Sequence, residues 1–319
     1  MNRILSSTVT EEFDAQRLDT YLRTKYKMSG SLIKELKQYE DGLIVNGSRA
    51  RSVDLLHTGD EVKLTLHEYS SENIVPVKLD FKVVYEDEDI LIVSKPSGIP
   101  THTSQGNFTN TLSNGVMYYF NQKGEEHVFR AVNRLDKDTS GLMCIAKNKY
   151  IHARLSADFG TKSVMRRYRA IVCGVINGEG VIDAPIAREC DSVIKRVVCS
   201  DGARAVTHYR SICSFENYSL IELELETGRT HQIRVHMSHI GAPLVGDWLY
   251  GSEDKELFPR QALHSYYLRL THPLTGEVLE FEEELPEDMR EFMEKQKNCN
   301  FFFKIVIKVL NFYTKCVII

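Results

Sequence analysis

Residues 132–147 place Arg134, Asp136, Lys137, Asp138, Thr139 and Ser140 directly ahead of an apolar run, Leu142-Met143-Cys144-Ile145-Ala146. The apolar run predicts a short buried strand, and Ser140-Gly141 a tight turn into it. Arg134, Asp136 and Asp138 then sit on a loop at the mouth of a core strand, where a rigid scaffold can hold catalytic groups. The same residues could also form a surface loop with an internal Arg–Asp pair, a common and weak arrangement. A second polar cluster, Glu226-Thr227-Gly228-Arg229-Thr230-His231-Gln232-Ile233-Arg234-Val235-His236, follows an alternating stretch. It predicts a strand, then a short helix over 231–240 capped by Thr230 and stopped at Gly241. Ile233, Met237 and Ile240 would face inward, and Arg234 would lie in the first turns. His231, His236 and His239 are five and three residues apart with no acid among them, unlike a zinc-binding helix.

Around these clusters the chain divides into a small unit at 16–67 and a large one at 80–297. In the small unit, Leu18, Tyr21 and Leu22 mark one helix, and Leu32, Ile33 and Leu36 a second, capped by Ser29 or Ser31. Short strands follow at 43–45 and 62–66, with a turn signal at Asn46-Gly47. Residues 68–79 read as a linker, and 1–15 as an N-terminal extension without a secretory signal. In the large unit, strands are expected at 83–85, 90–93, 164–174, 205–213 and 219–226. Helices are expected at 110–120 and 148–159, and a hairpin at 262–283 precedes a charged helix at 286–297. The segment 189–204, with Lys195, Arg196 and Arg204, reads as a mobile basic strand–loop. The apolar 298–319 tail is interrupted by Lys304, Lys308 and Lys315, which speaks against a membrane span.

The 319 residues carry a formal net charge of −4. That balance argues against a generic nucleic-acid coat but allows a local basic groove. The seven cysteines are scattered and form no Cys-x-x-Cys, which points to a reducing, cytoplasmic setting without disulfides or a zinc ribbon.

Several separate motifs carry a resemblance. Asn133-Arg134-Leu135-Asp136-Lys137-Asp138-Thr139-Ser140-Gly141-Leu142 is similar to the H-R-L-D-x-x-T-S-G-[LIV] signature of the RluA-type pseudouridine synthases, with Asn133 where the family more often has His. Lys95-Pro96-Ser97-Gly98 resembles its K-P-x-G motif, with Ser94 replacing Asn. Arg166-Arg167-Tyr168-Arg169-Ala170 resembles K-x-Y-x-A. The run 180–188 resembles G-x-I-x-x-P-I-x-R. Residues 228–236 resemble G-R-x-H-Q-[IL]-R-V-H, and 243–251 resemble P-[IL]-x-G-D-x-x-Y-G, which reads as structural punctuation. The small unit resembles an S4 RNA-binding domain.

The resemblance implies an α+β fold: a curved mixed or antiparallel sheet with flanking helices, plus the small S4-like α/β domain. It implies Asp136 as the catalytic residue, Arg234 as its partner and Tyr168 against the base. Arg134, Thr139, Arg229, His231 and Gln232 would bind substrate. Arg17, Arg23, Lys25, Lys27, Lys34, Lys37, Arg49 and Arg51 would meet phosphates. The implied reaction detaches uracil from C1′ and rejoins it through C5. No cofactor or metal is expected. The partner would be RNA, ribosomal RNA first and transfer RNA second, bound by a monomer. The alternative is a non-catalytic RNA chaperone or ribosome-assembly factor on the same fold.

Overall fold

The computed structural model describes residues 2–68 and 74–297, apart from positions 105, 107, 162, 191, 193, 252, 253 and 255. The 298–319 tail and five positions of the expected linker lie outside the described residues.

The N-terminal unit comprises β1 (Arg3–Thr8), α1 (Leu18–Lys25), α2 (Gly30–Leu36), β2 (Leu43–Val45), β3 (Ser48–Arg49) and β4 (Glu61–Leu66). Its sheet runs β1-β4-β2-β3, antiparallel throughout. Ser29 caps α2 by accepting the Leu32 N–H at 3.2 Å. Asn46 and Gly47 take positive φ values of 50° and 78°, the geometry that a two-residue hairpin between β2 and β3 requires. Residues 3–8, expected within an extension, instead form an edge strand in register with β4 from Arg3↔Leu66 to Thr8↔Glu61. Only Leu5 of this strand enters the core, so it lacks an apolar signal.

The second unit contains β5 (Lys82–Glu86), β6 (Ile90–Lys95), α3 (Leu112–Gln122), β7 (Ser140–Ala146), α4 (Lys149–Asp158), β8 (Met165–Cys173) and β9 (Glu179–Asp183). It continues through β10 (Ile186–Arg188), β11 (Arg196–Val198), β12 (Val206–Ser214), β13 (Tyr218–Leu225), α5 (Gln232–His239), β14 (Leu263–Thr271) and β15 (Val278–Glu282). A last helix, α6, spans 287–297. The main sheet has nine strands in the order β5-β6-β7-β14-β8-β13-β12-β9, with β15 also on β14. It is mixed: β7 and β14 are parallel, and the other pairs are antiparallel. The segment expected as a basic strand–loop supplies β11, which pairs with β10 as a separate two-stranded sheet.

The strand β7 is buried along its whole length. Gly141 has φ 113°, and a Cβ there would lie 2.1 Å from the Ser265 carbonyl oxygen. Glycine is therefore required where the catalytic-motif loop enters the sheet and β14 comes alongside.

The two units share one apolar cluster in which Leu18, Tyr21 and Leu22 join Ile90, Leu142, Tyr150 and Ile151. Polar contacts reinforce it. Arg3 forks onto Asp89 at 2.9 and 2.8 Å, Tyr150 donates to the Tyr26 carbonyl at 2.9 Å, and Lys149 pairs with Glu35. Glu68, expected in the linker, pairs with Arg130 at 2.7 Å and accepts the Lys149 N–H at 2.8 Å.

Candidate active site

The loop 133–139 is held from behind, residue by residue. Asn133 accepts the Cys144 N–H at 2.8 Å, so the side chain that departs from the family pattern ties the loop to β7. Thr101 donates to the Leu135 carbonyl at 2.9 Å. Lys95, fully buried, donates to the carbonyls of Pro96 and Ile99 at 2.8 Å and of Lys137 at 2.9 Å, one acceptor for each ammonium proton. Burial pulls the Lys95 pKa down to about 7, against the opposing charges of Asp138 and Asp136. Arg260 forks onto Asp288 of α6 at 2.7 and 2.9 Å and donates to the Asp138 carbonyl at 3.1 Å. Gln261 donates to the Thr139 hydroxyl at 3.3 Å.

The last brace is His264, bonded through Nδ1 to the Ser140 hydroxyl at 2.9 Å. Burial, then Arg260 and Arg169, lower its pKa to about 4. The unfolded chain therefore binds the proton first. Stability from neutral His264 is complete above about pH 6.5 and is lost as pH falls toward 4, by about 3 kcal/mol in all. His264→Gln should flatten this acid limb in denaturant unfolding at pH 7 and 4.5. An equal acid loss in parent and variant would refute the assignment.

Arg234 links two carboxylates. Its Nε and Nη2 fork onto Asp247 at 2.7 and 2.8 Å, and its Nη1 donates to Asp136 Oδ2 at 3.1 Å. Arg234 is 4% exposed and Asp247 is fully buried, whereas the Asp136 side chain keeps 23% of its surface. Burial opposes the Arg234 charge, but Asp247 and then Asp136 outweigh it and raise its pKa. Asp136 Oδ1 has no hydrogen-bond partner among the described residues. The result is an aimed carboxylate with one committed and one available oxygen.

Asp136 opens on a cleft of about 390 Å³ that also includes His102, Arg134, Thr139, Phe159, Arg166, Tyr168, Arg229 and His231. This volume falls within the range of small-molecule sites, enough for one extruded nucleoside. Tyr168 is buried on β8, and desolvation raises its pKa despite Arg166 and the Ser265 hydroxyl. It is thus a neutral phenol at pH 7. His231, at the start of α5, has φ 58° and ψ 18°, a left-handed conformation uncommon for a side-chain-bearing residue. The Tyr250 hydroxyl accepts the Arg196 N–H at 2.9 Å and is hydrogen-bonded to His231 Nδ1, also at 2.9 Å. His231 Nε2 lies 3.8 Å from Asp136 Oδ2.

The chain as a whole is similar to known proteins. Residues 89–239 match the RNA pseudouridylate synthase family. A Bacillus subtilis relative named as an uncharacterized RNA pseudouridine synthase is 41% identical over 300 residues, covering 92% of this chain and 98% of the relative. The chain belongs to the RluA/RluD family of RNA pseudouridine synthases. A ribosomal large subunit pseudouridine synthase D of Zymomonas mobilis is 41% identical over 306 residues, with 89% of this chain and 94% of that one covered. The solved human RNA pseudouridylate synthase domain containing 4 superposes with a TM-score of 0.55 at 26% identity, covering 67% of this chain and 92% of that one. The synthase is therefore an isomerase acting on RNA.

The expected cleft residues of the synthase separate into two groups. Asp136, Arg234, Tyr168, Arg134, His231 and Arg229 gather on the cleft, Arg134 and Arg229 exposed at its walls. Gln232 and Thr139 also border it, but their polar atoms are engaged within the protein. Gln232 accepts from Thr227 and the Arg229 N–H and donates to the Val206 carbonyl and Thr207. Both brace the loops at the border of the cleft. Thr230 is not the cap of α5: His231 occupies that position and makes no side-chain capping bond. Ile240, expected inside, is 38% exposed because the helix ends at His239 and Gly241 turns the chain at φ 79°. Asp247 and Tyr250, which read as punctuation in the sequence, contact Arg234 and His231 at the cleft. Their signal was an acid and an aromatic within a Gly-Asp-x-x-Tyr-Gly run, whose polar ends needed a buried partner. Among the described residues no cluster of histidine, cysteine and carboxylates could hold a metal ion, and no helix is long and apolar enough to cross a membrane.

Proposed function

We propose that this synthase isomerises specific uridines of large-subunit ribosomal RNA, as a cytoplasmic monomer without a cofactor. The observation that carries the site assignment is the Asp136–Arg234–Asp247 chain of contacts at the base of the cleft. The ribosomal substrate is supported by the relatives named for the large subunit. The target uridine leaves the base stack to enter the cleft. Arg134, exposed at the rim, occupies the space it vacates or holds a neighbouring phosphate. The free Asp136 oxygen acts on the ribose while the C1′–N1 bond breaks, and Arg234 keeps that carboxylate aimed. The detached uracil turns and bonds to C1′ through C5. Tyr168 holds the ring. Tyr168 stays a neutral phenol, so the C5 proton leaves to water while N1, freed from C1′, takes up a proton from water, and the isomerisation is proton-neutral.

The N-terminal unit acts as the S4-like RNA grip. Arg17, Arg23, Lys25, Lys27, Lys34, Lys37, Arg49 and Arg51 are all exposed. Helix α4 joins that unit to the cleft: Lys149 and Arg154 contact it, while Ser156 and Phe159 face the cleft. Because the units share a core, the test is charge removal, not deletion. Combined Arg23→Gln, Lys27→Gln and Lys34→Gln should weaken RNA binding and reduce the slope of log K against log salt by about 2–3, if each cation meets one phosphate. An unchanged slope would remove the N-terminal unit from the RNA path. The overall function is tested by converting uridine to pseudouridine in purified ribosomal RNA and mapping the positions. Binding without conversion would leave only an RNA-binding factor.

A further inference from the structure

Arg166 takes no part in the chemistry assigned above. It stands two residues before Tyr168 on the same buried face of β8 and lines the cleft. It is 7% exposed, yet no carboxylate pairs with it among the described residues. Its Nη2 donates to the Phe159 carbonyl at 3.3 Å, its guanidinium carbon lies 5.4 Å from the Phe159 ring, and its Nε is buried without a partner. The other two buried arginines among the described residues differ. Arg234 forks onto Asp247, and Arg260 onto Asp288.

A guanidinium removed from water without a counter-charge is unfavourable, and one aromatic face offsets this only in part. The surrounding chain nonetheless makes room for it. A Cβ on Gly228 would lie 2.9 Å from Arg166 Nη1, so glycine there lets the guanidinium stand against the 228–231 turn at the cleft wall.

We propose that Arg166 is the seat of a phosphodiester adjoining the extruded uridine. This inference rests on the reading of the cleft as a uridine site. The planar fork of arginine matches two oxygens of a phosphate. Two residues along one strand face separate side chains by about 6.6 Å. That is the reach from a base held by Tyr168 to the phosphate of its own nucleotide. The anion supplies the missing counter-charge only when the correct strand conformation is bound, so Arg166 couples extrusion of the nucleotide to binding.

The test uses the full chain and an RNA fragment containing a mapped target uridine. Single uncharged methylphosphonate linkages replace, one at a time, the phosphates around that uridine. Affinity and steady-state turnover are measured for the parent and for Arg166→Gln. Loss of one charge-assisted phosphate contact should raise KM about tenfold, with a smaller fall in kcat. One methylphosphonate position should weaken the parent by a similar factor and Arg166→Gln by no more than about twofold. Equal weakening of parent and variant at every position overturns the phosphate seat. Without RNA, Arg166→Gln should unfold at the same or a higher temperature than the parent, because an uncompensated buried charge has gone. A clear fall in unfolding temperature would make Arg166 structural and also overturn the proposal. Turnover of the unmodified fragment by the parent checks the uridine reading separately. The affinity comparison still decides the role of Arg166 if that turnover is absent.

Discussion

Asp136→Asn is expected to lower single-turnover conversion by roughly 10³-fold or more while leaving RNA affinity nearly unchanged. The amide keeps the size and shape of the carboxylate but cannot attack the sugar or take its proton. Binding survives because it is spread over many phosphate contacts away from this group. The fold survives because Arg234 retains its fork onto Asp247 at 2.7 and 2.8 Å, so the buried guanidinium is not left unpaired. Unfolding should therefore shift by less than about 1 kcal/mol. The measurement is conversion of a saturating RNA fragment, with affinity and denaturant unfolding alongside. Near-parent turnover would place the chemistry elsewhere in the cleft.

Arg234→Ala should damage both turnover and stability, and the two losses have different causes. Turnover falls by roughly 10²-fold because Asp136 loses the donor that aims it. Stability falls by about 3–5 kcal/mol because removing one partner of a buried ion pair strands the other. The stranded group is Asp247, fully buried and left, among the described residues, with the Leu249 and Tyr250 N–H groups at 3.1 and 3.2 Å. Replacing Asp247 by Ala in the same chain should restore part of the stability and none of the activity, since the sites are directly coupled. Arg234→Lys should recover little, because an ammonium cannot fork onto Asp247 while reaching Asp136. An Arg234→Ala protein as stable as the parent would contradict the buried pairing.

Much of the site was legible as local signals. The apolar run after Gly141 marked β7, and its preceding polar residues marked the loop that it supports. The cap of α2 was readable because a cap acts over three or four positions: Ser29 accepts the Leu32 N–H of its own helix. The edge strand β1 was not readable, because an edge strand buries few side chains and needs no apolar alternation. The start of α5 was misplaced by one residue. Thr230 has the better capping chemistry, but contacts of His231 with Tyr250 and of Gln232 with β12 hold the backbone otherwise.

The residue types of the motifs, their order and their strand–loop–helix settings followed from the chain alone, because hydrophobic period and turn chemistry are local properties. Pairings across long separations did not. Arg234 meets Asp136 98 positions away, Arg260 reaches the Asp138 carbonyl across 122, and Tyr150 joins Tyr26 across 124. The Arg260 contact depends on strand order in a mixed sheet, where β14, formed late in the chain, inserts between β7 and β8, and the Tyr150 contact on the packing of the two units into one apolar cluster. That insertion brings the 260–264 segment beneath the catalytic loop. Folding also separated side chains that looked alike in sequence. Arg134 and Arg229 were left in solvent, Arg234 was buried against two carboxylates, and Arg166 was buried against none. Which charge is compensated is a property of the packed arrangement.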